Sequence, residues 1–229
     1  MSIRTHLITL QKWWLFALLF LIPLSLQYLI KTPVAISTLN ILSLGFIFLG
    51  VLNALTGGVP IRPVQHRSYV WVILLLLGAL AYALLFTHPL RNAVGLWTSR
   101  LSQPLLVGYF AYQLLANRVI TLSEPIRALF YSLVPLLILG GMQLTGFLPY
   151  ADTDRVTASY FFPNTFARYV GIVLLISLPW ILFSIRQYKR LHLGLWILGV
   201  LLLLSSKSYG GTVAFFGGLT ALLFALPNP

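Results

Sequence analysis

The chain has 229 residues, of which 59% are apolar and only 8% are charged. Ordinary soluble domains carry about 25% charged residues, and a mean hydropathy of +0.93 leaves too few polar side chains to cover a soluble globule. The net charge is +12, but the basic residues are scattered singly between apolar runs, so nucleic acid is not an expected partner. The absence of Cys excludes disulfides and thiolate metal sites. The composition predicts a membrane protein.

Apolar stretches occupy nearly the whole chain. A helix needs about 20 apolar residues to cross about 30 Å of hydrocarbon. Candidate spans cover residues 13–30, 34–55, 69–86, 128–148, 169–185 and 209–226, and two shorter stretches cover 104–116 and 191–206. In the last span Gly210, Ala214 and Gly218 recur every fourth residue, which would let a helix of further spans or of another chain approach closely. The sequence predicts an all-α transmembrane bundle of about 7–8 spans in a single domain over residues 1–229.

The distribution of basic residues predicts the orientation in the membrane. With spans alternating from a cytoplasmic N-terminus, nine basic residues lie inside and six lie outside, as the positive-inside rule requires. The inside set is Arg4, Lys12, Arg62, Arg67, Arg118, Arg127, Arg186, Lys189 and Arg190, and the outside set is Lys31, Arg91, Arg100, Arg155, Arg168 and Lys207. The N-terminus is predicted to be cytoplasmic, and residues 149–169 are predicted to form the longest outer loop.

Few carboxylates are available for acid–base or metal chemistry. They are Glu124, Asp152 and Asp154. Glu124 is placed to suit the positive end of a helix dipole. Asp152 and Asp154 form a D-x-D pair of the kind that holds a divalent cation in many glycosyltransferases. A solvated turn beside Arg155 is the simpler interpretation, so no metal site is predicted.

The four His lie near predicted helix ends. His6, His66 and His192 fall among Arg and Lys in segments predicted to be cytoplasmic, where such residues anchor helices at the membrane interface. His88, on the outer side, precedes Pro89, and a helix end explains it better than a general base does. No His is therefore assigned to catalysis.

Basic residues on the outer side require anions that the chain does not supply. Arg91, Arg100, Arg155 and Arg168 lie in amphipathic or partly apolar segments, where an Arg is costly unless it is paired. The outer segments hold only two carboxylates, so the counter-ions are lipid headgroups or a bound anionic substrate. Guanidinium suits phosphate oxygens because it is planar and always charged. Snorkelling to phospholipid phosphates explains any single one of these residues equally well.

The loop over residues 149–169 carries a recognisable pattern. Its matching residues are Arg155, Thr157, Pro163, Asn164, Thr165, Phe166, Ala167 and Tyr169. In this pattern the chain resembles the O-antigen ligase and O-antigen polymerase superfamily of polytopic bacterial membrane glycosyltransferases. Ala158 stands where the family usually has Gly, and Phe162 replaces an Asn. Weaker matches are Ser206 with Lys207, in place of a Ser-Arg-Gly-like motif, and an amphipathic segment over residues 95–106 that contains Arg100.

The resemblance implies a GT-C-like fold and a transferase without metal or cofactor. Such enzymes move a glycan from undecaprenyl pyrophosphate to a glycan or lipid acceptor at the outer face of the bacterial inner membrane, with inversion at the anomeric carbon. Arg155 would hold the pyrophosphate, with Lys207 and Arg100 as partners, and Pro163 and Asn164 would be structural. The family also has a second large periplasmic loop with an Arg and a His later in the chain, so we expect this sequence to be the N-terminal part of a longer protein.

Other functions stay open at this point. Ligase and polymerase activities are not distinguished by these residues. A glycolipid transporter would also need outward cations, but charged or helix-breaking sites are expected at mid-membrane in both of its halves. A non-catalytic membrane scaffold is the third possibility, and it would use the outer cations only to contact lipid headgroups.

Cysteine accessibility tests the predicted orientation, since the chain has no native Cys. In intact cells with a permeabilised outer membrane, Thr153→Cys should react with an impermeant maleimide because residues 149–169 are predicted to lie outside. Ser68→Cys should not react. The reverse labelling pattern would contradict the orientation and, with it, any function at the outer face.

Overall fold

We describe the protein from a computed structural model, which covers residues 3–24, 28–30, 36–62, 77–78, 81, 102–149, 155–158, 163–183 and 186–225. These residues are almost entirely helical. The helices are α1 Ile3–Leu21, α2 Thr38–Leu55, α3 Gln103–Ala116, α4 Ser123–Tyr131, α5 Leu133–Leu144, α6 Pro163–Leu182, α7 Arg186–Ser205 and α8 Tyr209–Ala225. A 3-10 turn, Ile22–Leu24, follows α1. Two short strands, β1 Tyr28–Ile30 and β2 Ile36–Ser37, pair antiparallel with Tyr28 opposite Ser37.

Among the described residues, four helical segments are long and apolar enough to cross a membrane, as judged by length and composition. They are Ile3–Leu24, Ser123–Leu144, Pro163–Leu182 and Tyr188–Ser205, and the shorter apolar helices are Leu39–Leu55 and Tyr209–Phe224. The prediction of a helical protein is thereby confirmed apart from the short strands β1 and β2, and the long apolar helices suggest a membrane protein. A bundle of about 7–8 spans and a GT-C-like arrangement stay predictions, and most of the predicted span over 69–86 lies outside the described residues.

Prolines explain where helix boundaries depart from the predicted spans. The predicted span over 128–148 is divided between α4 and α5 at Ser132. Pro135 has no N–H to donate to the carbonyl of Tyr131, and its ring crowds that carbonyl. Pro23 likewise lacks an N–H to continue the helix, and α1 ends two residues before it, at Leu21, instead of at the predicted residue 30. At the other extreme, α6 begins at Pro163, because a proline is well suited to the first helical position.

The helices group into two compact units, which are described separately. Unit 1 comprises Met1–Leu18 and Tyr28–Thr121, and unit 2 comprises Leu19–Gln27 and Leu122–Pro229. The assignment of residues 1–229 to a single transmembrane domain stays a prediction.

Aromatic side chains pack on glycines in unit 1. A Cβ added at Gly45 would lie 2.6 Å from the Trp14 ring, and one added at Gly50 would lie 2.5 Å from Phe110. The Trp14 indole Nε1 donates to the carbonyl of Leu42 at 2.7 Å. The α1 and α3 rings thus pack on different glycines of α2. Only glycine leaves room for an aromatic ring directly against the helix backbone.

Buried carboxamides provide the polar contacts of unit 1. Asn53 on α2 donates through Nδ2 to Gln11 Oε1 on α1 at 2.7 Å. Gln113 on α3 accepts from the backbone N–H of Arg62 at 2.9 Å and donates to the carbonyl of the same residue at 3.0 Å. Asn117 donates to the carbonyl of Pro60 at 2.9 Å. The segment after α2 is therefore held against α3 by side-chain amides.

Helix α6 lies at the centre of unit 2. The buried core of the unit consists of Phe130, Leu133, Leu136, Val156, Phe166, Ala167, Val170, Val173, Leu174, Ile181, Leu202, Leu203 and Phe215. Half of the apolar window of α6 is buried, more than in the other candidate spans. Trp196 on α7 donates from Nε1 to the carbonyl of Leu174 at 2.9 Å. Helices α4, α7 and α8 all pack on α6.

Helix α8 approaches α6 through small residues. A Cβ added at Gly211 would lie 2.6 Å from the Cβ of Ala167, and one added at Gly218 would lie 2.7 Å from Leu175. Within the described residues, Gly218 thus contacts α6, whereas no described atom lies within 4 Å of a Cβ added at Gly210, because the helix is turned so that Gly211 faces α6. Packing of the predicted row against another helix stays a prediction.

A single methyl group tests this packing. We expect Gly211→Ala to destabilise the detergent-purified protein by about 1–3 kcal/mol, because the methyl overpacks the contact with Ala167. Gly210→Ala, one residue away on the same helix, should be neutral or stabilising by about 0.5–1 kcal/mol, because alanine is the better helix former. Unfolding in denaturant measures both, and equal losses would contradict the described face of α8.

Candidate functional site

The segment 155–158 is anchored by the side chain of Gln143 in the last turn of α5. Gln143 Oε1 accepts from the backbone N–H of Thr157 at 3.0 Å and from that of Ala158 at 2.8 Å. Its Nε2 donates to the carbonyl of Pro149 at 3.3 Å. Both Gln143 and Thr157 are buried, so these backbone groups have little access to water and need an internal partner. One carboxamide thus fixes the path of the chain directly after Arg155.

Ala158 adopts a left-handed backbone conformation with φ of 48°. This conformation costs an L-residue roughly 1–2 kcal/mol, and glycine adopts it without that cost. The O-antigen ligase pattern usually has Gly at this position, so the local geometry provides a physical reason for the residue that the pattern prefers. Here the two hydrogen bonds to Gln143 hold the alanine in the strained conformation.

A second segment, 205–208, connects α7 to α8. Ser206 Oγ donates to the carbonyl of Leu203 at 2.6 Å. Lys207 has φ of 49° and ends the helix, with its N–H donated to the carbonyl of Leu204 at 3.1 Å. Ser208 Oγ then accepts from the N–H of Gly211 at 3.4 Å and caps α8. The exposed Lys207 lies between a helix end and a helix start.

The two segments are joined to each other and to the start of α6. The N–H of Val156 donates to the carbonyl of Ser205 at 3.4 Å. Ser208 Oγ donates to Asn164 Oδ1 at 2.9 Å. The structure therefore brings together the segments that carry Arg155, Asn164 and Lys207. We call this group, residues 155–158, 163–168 and 205–208, the motif end of unit 2.

The charges at the motif end favour an anion. Arg155 is half-buried, whereas Lys207 and Arg168 are exposed. The N-termini of α6 and α8 add the positive ends of two helix dipoles, although α5 and α7 end nearby with the opposite sign. None of the three segments contains Asp or Glu. Such a group of cations and helix N-termini is suited to binding phosphate oxygens.

Several candidate residues fall elsewhere. Arg100, Asp152, Asp154 and His88 lie outside the described residues, so their predicted roles stay predictions. Glu124 occupies the first turn of α4, where a carboxylate is favourable. Pro163 opens α6 and Asn164 contacts α8 through Ser208, in keeping with structural roles.

His192 is buried, although the sequence places it among Arg and Lys; a location near the membrane interface stays a prediction. His192 is only 5% exposed, and its Nε2 lies 3.0 Å from the hydroxyl of Tyr131. Its ring packs against residues of α4 and α6, with the Trp180 ring centroid 4.7 Å away.

Sequence reasoning also missed Gln143 and Ser208. Both are neutral polar residues, and neither belongs to a catalytic or ligand-binding pattern. The available signal at Gln143 was its place in an otherwise apolar run, since a buried amide in a membrane helix needs partners. Comparisons with protein-family models, curated proteins and solved structures found no match for this chain. The family resemblance stays a prediction carried by the residues themselves.

Replacing Gln143 tests its role in the motif end. Gln143→Met keeps the side-chain size but leaves the N–H groups of Thr157 and Ala158 without their acceptor, which costs roughly 1–3 kcal/mol for each group that stays unpaired. We expect faster trypsin cleavage after Arg155, measured by mass spectrometry of the released peptides.

The matched control is Gln113→Met, which removes a comparable carboxamide in unit 1. It should leave cleavage after Arg155 unchanged. Equal protection of Arg155 in the wild type and in Gln143→Met would show that the carboxamide does not hold this segment.

Proposed function

We propose that this chain is a membrane glycosyltransferase of the O-antigen ligase or polymerase type. It takes a glycan from undecaprenyl pyrophosphate at the outer face of the bacterial inner membrane and transfers it to an acceptor sugar. The observation that carries the proposal is the joining of two separate pattern segments. The Val156–Ser205 and Ser208–Asn164 hydrogen bonds place the Arg155 and Lys207 segments at one end of unit 2.

The proposed reaction requires stabilisation of a leaving diphosphate. The acceptor hydroxyl oxygen forms a bond to the anomeric carbon and loses its proton to water, while the bond from that carbon to the diphosphate oxygen breaks and the lipid diphosphate leaves with the bonding electron pair. Negative charge therefore grows on the diphosphate in the transition state. Fixed cations that contact it there lower the barrier, because they bind the transition state more strongly than the ground state.

Arg155 is the residue best suited to this task. It is half-buried, and the segment that follows it is held by Gln143, so less conformational freedom is lost when a ligand binds. Its guanidinium can donate two parallel bonds to one phosphate. Lys207 is exposed, and its ammonium group supplies a point charge instead of the two parallel donors of a guanidinium. Arg100 remains a proposed third cation on the basis of the resemblance alone.

Two further candidates predict different behaviour. A scaffold would use its outer cations for lipid headgroups and would not distinguish Arg155 from other basic residues. A glycolipid transporter would respond strongly to changes in the middle of its spans. Pro135 in α5 and Pro179 in α6 are helix-breaking residues of the type that such a transporter needs.

Substitution of Arg155 tests the proposal. Binding of an undecaprenyl pyrophosphate analogue to the detergent-purified protein should weaken by about 2–4 kcal/mol in Arg155→Ala, because two charge-assisted bonds are lost and water replaces them in part. Arg155→Lys should be nearly as weak, because lysine keeps the charge but not the fork.

Arg190→Ala is the control, since Arg190 is exposed near the opposite end of α7 and its loss should have little effect. A chelator should leave binding unchanged, as expected if Asp152 and Asp154 form a turn. Small and equal effects at Arg155 and Arg190 would favour a scaffold, and loss of binding in chelator would favour the D-x-D metal site.

A further inference from the structure

A cavity lies in unit 2, away from the motif end. Its volume is about 910 Å³, and it is lined by residues of α4, α6 and α7 and by Phe183, which follows α6. His192 lines it, and Ser205 at the other end of α7 lies 13 positions further along the helix, which corresponds to about 20 Å. We call it the basal cavity. Its size is within the range of small-molecule sites, about 300–1,000 Å³.

The inner wall of the basal cavity carries an unsatisfied polar atom. His192 is 5% exposed. Its Nε2 is paired with the Tyr131 hydroxyl at 3.0 Å, but its Nδ1 has no hydrogen-bond partner among the described residues. A buried polar atom without a partner costs roughly 1–3 kcal/mol. A small tilt of the imidazole that exposed Nδ1 to a polar group of an occupant would remove this cost.

The basic residues of this region favour a negatively charged occupant. Arg127 lines the cavity and is exposed, so its guanidinium is accessible at the opening. Lys189 lies within one turn of His192 in α7. Glu124 in α4 is the one carboxylate within helices α4 to α8. The local balance is positive, and guanidinium pairs well with phosphate.

The rim of the basal cavity is apolar and open. Phe183 is 78% exposed, Leu122 is 65% exposed and Tyr188 is 54% exposed. The remaining lining includes Ile126, Ile176 and Pro179. In a protein whose helices are built to face lipid, exposed apolar side chains around an opening suit hydrocarbon chains. A free anion would leave them without a partner.

We propose that the basal cavity binds an anionic phospholipid. The phosphodiester lies between Arg127 and His192, and the start of the acyl chains follows Phe183 and Ile176 to the open rim. Tyr131 orients the imidazole from the other side, while Trp180 and Tyr188 flank it. This site is separate from the proposed pyrophosphate site and does not depend on glycan transfer.

Lipid binding to the detergent-purified full chain tests the proposal, with dioctanoyl phosphatidylglycerol and dioctanoyl phosphatidylcholine as probes in native mass spectrometry. We expect phosphatidylglycerol to bind about tenfold more tightly, because the phosphocholine head carries its own cation and weakens the pairing with Arg127. Arg127→Gln should remove this preference. His192→Phe, which keeps a ring of similar shape, should weaken phosphatidylglycerol binding about tenfold as well.

Arg190→Gln is the matched control, because Arg190 lies near the same end of α7 without lining the cavity, and it should change the affinity less than about twofold. Equal binding of the two lipids, or equal losses in Arg127→Gln and Arg190→Gln, would overturn the proposal. Competition by inorganic phosphate at the lipid's own concentration would indicate a free-anion site instead. Arg127→Gln should leave binding of the undecaprenyl pyrophosphate analogue unchanged, so the two proposals fail independently.

Discussion

The close contact between Gly211 on α8 and Ala167 on α6 is the interaction on which the motif end depends. A Cβ at Gly211 would lie only 2.6 Å from the Cβ of Ala167, so the two helices can approach this closely only with glycine at that position. The approach places Ser208 against the first turn of α6, where its hydroxyl donates to Asn164. The same hydroxyl accepts from the N–H of Gly211. Lys207 is positioned as the neighbour of this doubly bonded serine.

Buried carboxamides hold the segments that connect the helices of this otherwise apolar chain. Hydrocarbon offers no hydrogen bonds, so a bend in the backbone near a membrane helix needs partners from the protein. Gln113 provides them for Arg62 in unit 1, and Gln143 provides them for Thr157 and Ala158 in unit 2. In each case the amide binds a segment that leaves the helices. Gln113 and Gln143 thus fix the course of the segments that connect helices, whereas apolar side chains pack the helices against each other.

Hydropathy predicted α3 and α8 closely because each is one apolar run, but it did not predict the end of α1 at Leu21 or the strand over Tyr28–Ile30. The predicted stretches 104–116 and 209–226 agree with α3 and α8 to within one residue at either end. Contacts between helices were harder to predict, since the choice between Gly210 and Gly211 depends on how α8 is rotated. The burial of His192 was hard to predict for the same reason: its sequence neighbours are basic, whereas its ring contacts Tyr131 and Trp180 in the structure.

The positions of the cations in unit 2 distinguish those that are suited to binding a specific anion from the rest. With 15 Lys and Arg against 3 Asp and Glu, most cations must find anions outside the chain. Ordinary surface cations pair with ions in solution or with lipid headgroups, and each such pair contributes little free energy. Arg155 and Arg127 differ from these, because each adjoins buried polar groups: the Gln143 amide holds the segment after Arg155, and the imidazole of His192 lies in the cavity that Arg127 lines. A cation beside a pre-organised polar group loses less entropy when it binds an anion, and that difference separates a specific site, for a pyrophosphate or for a bound lipid, from a non-specific headgroup contact.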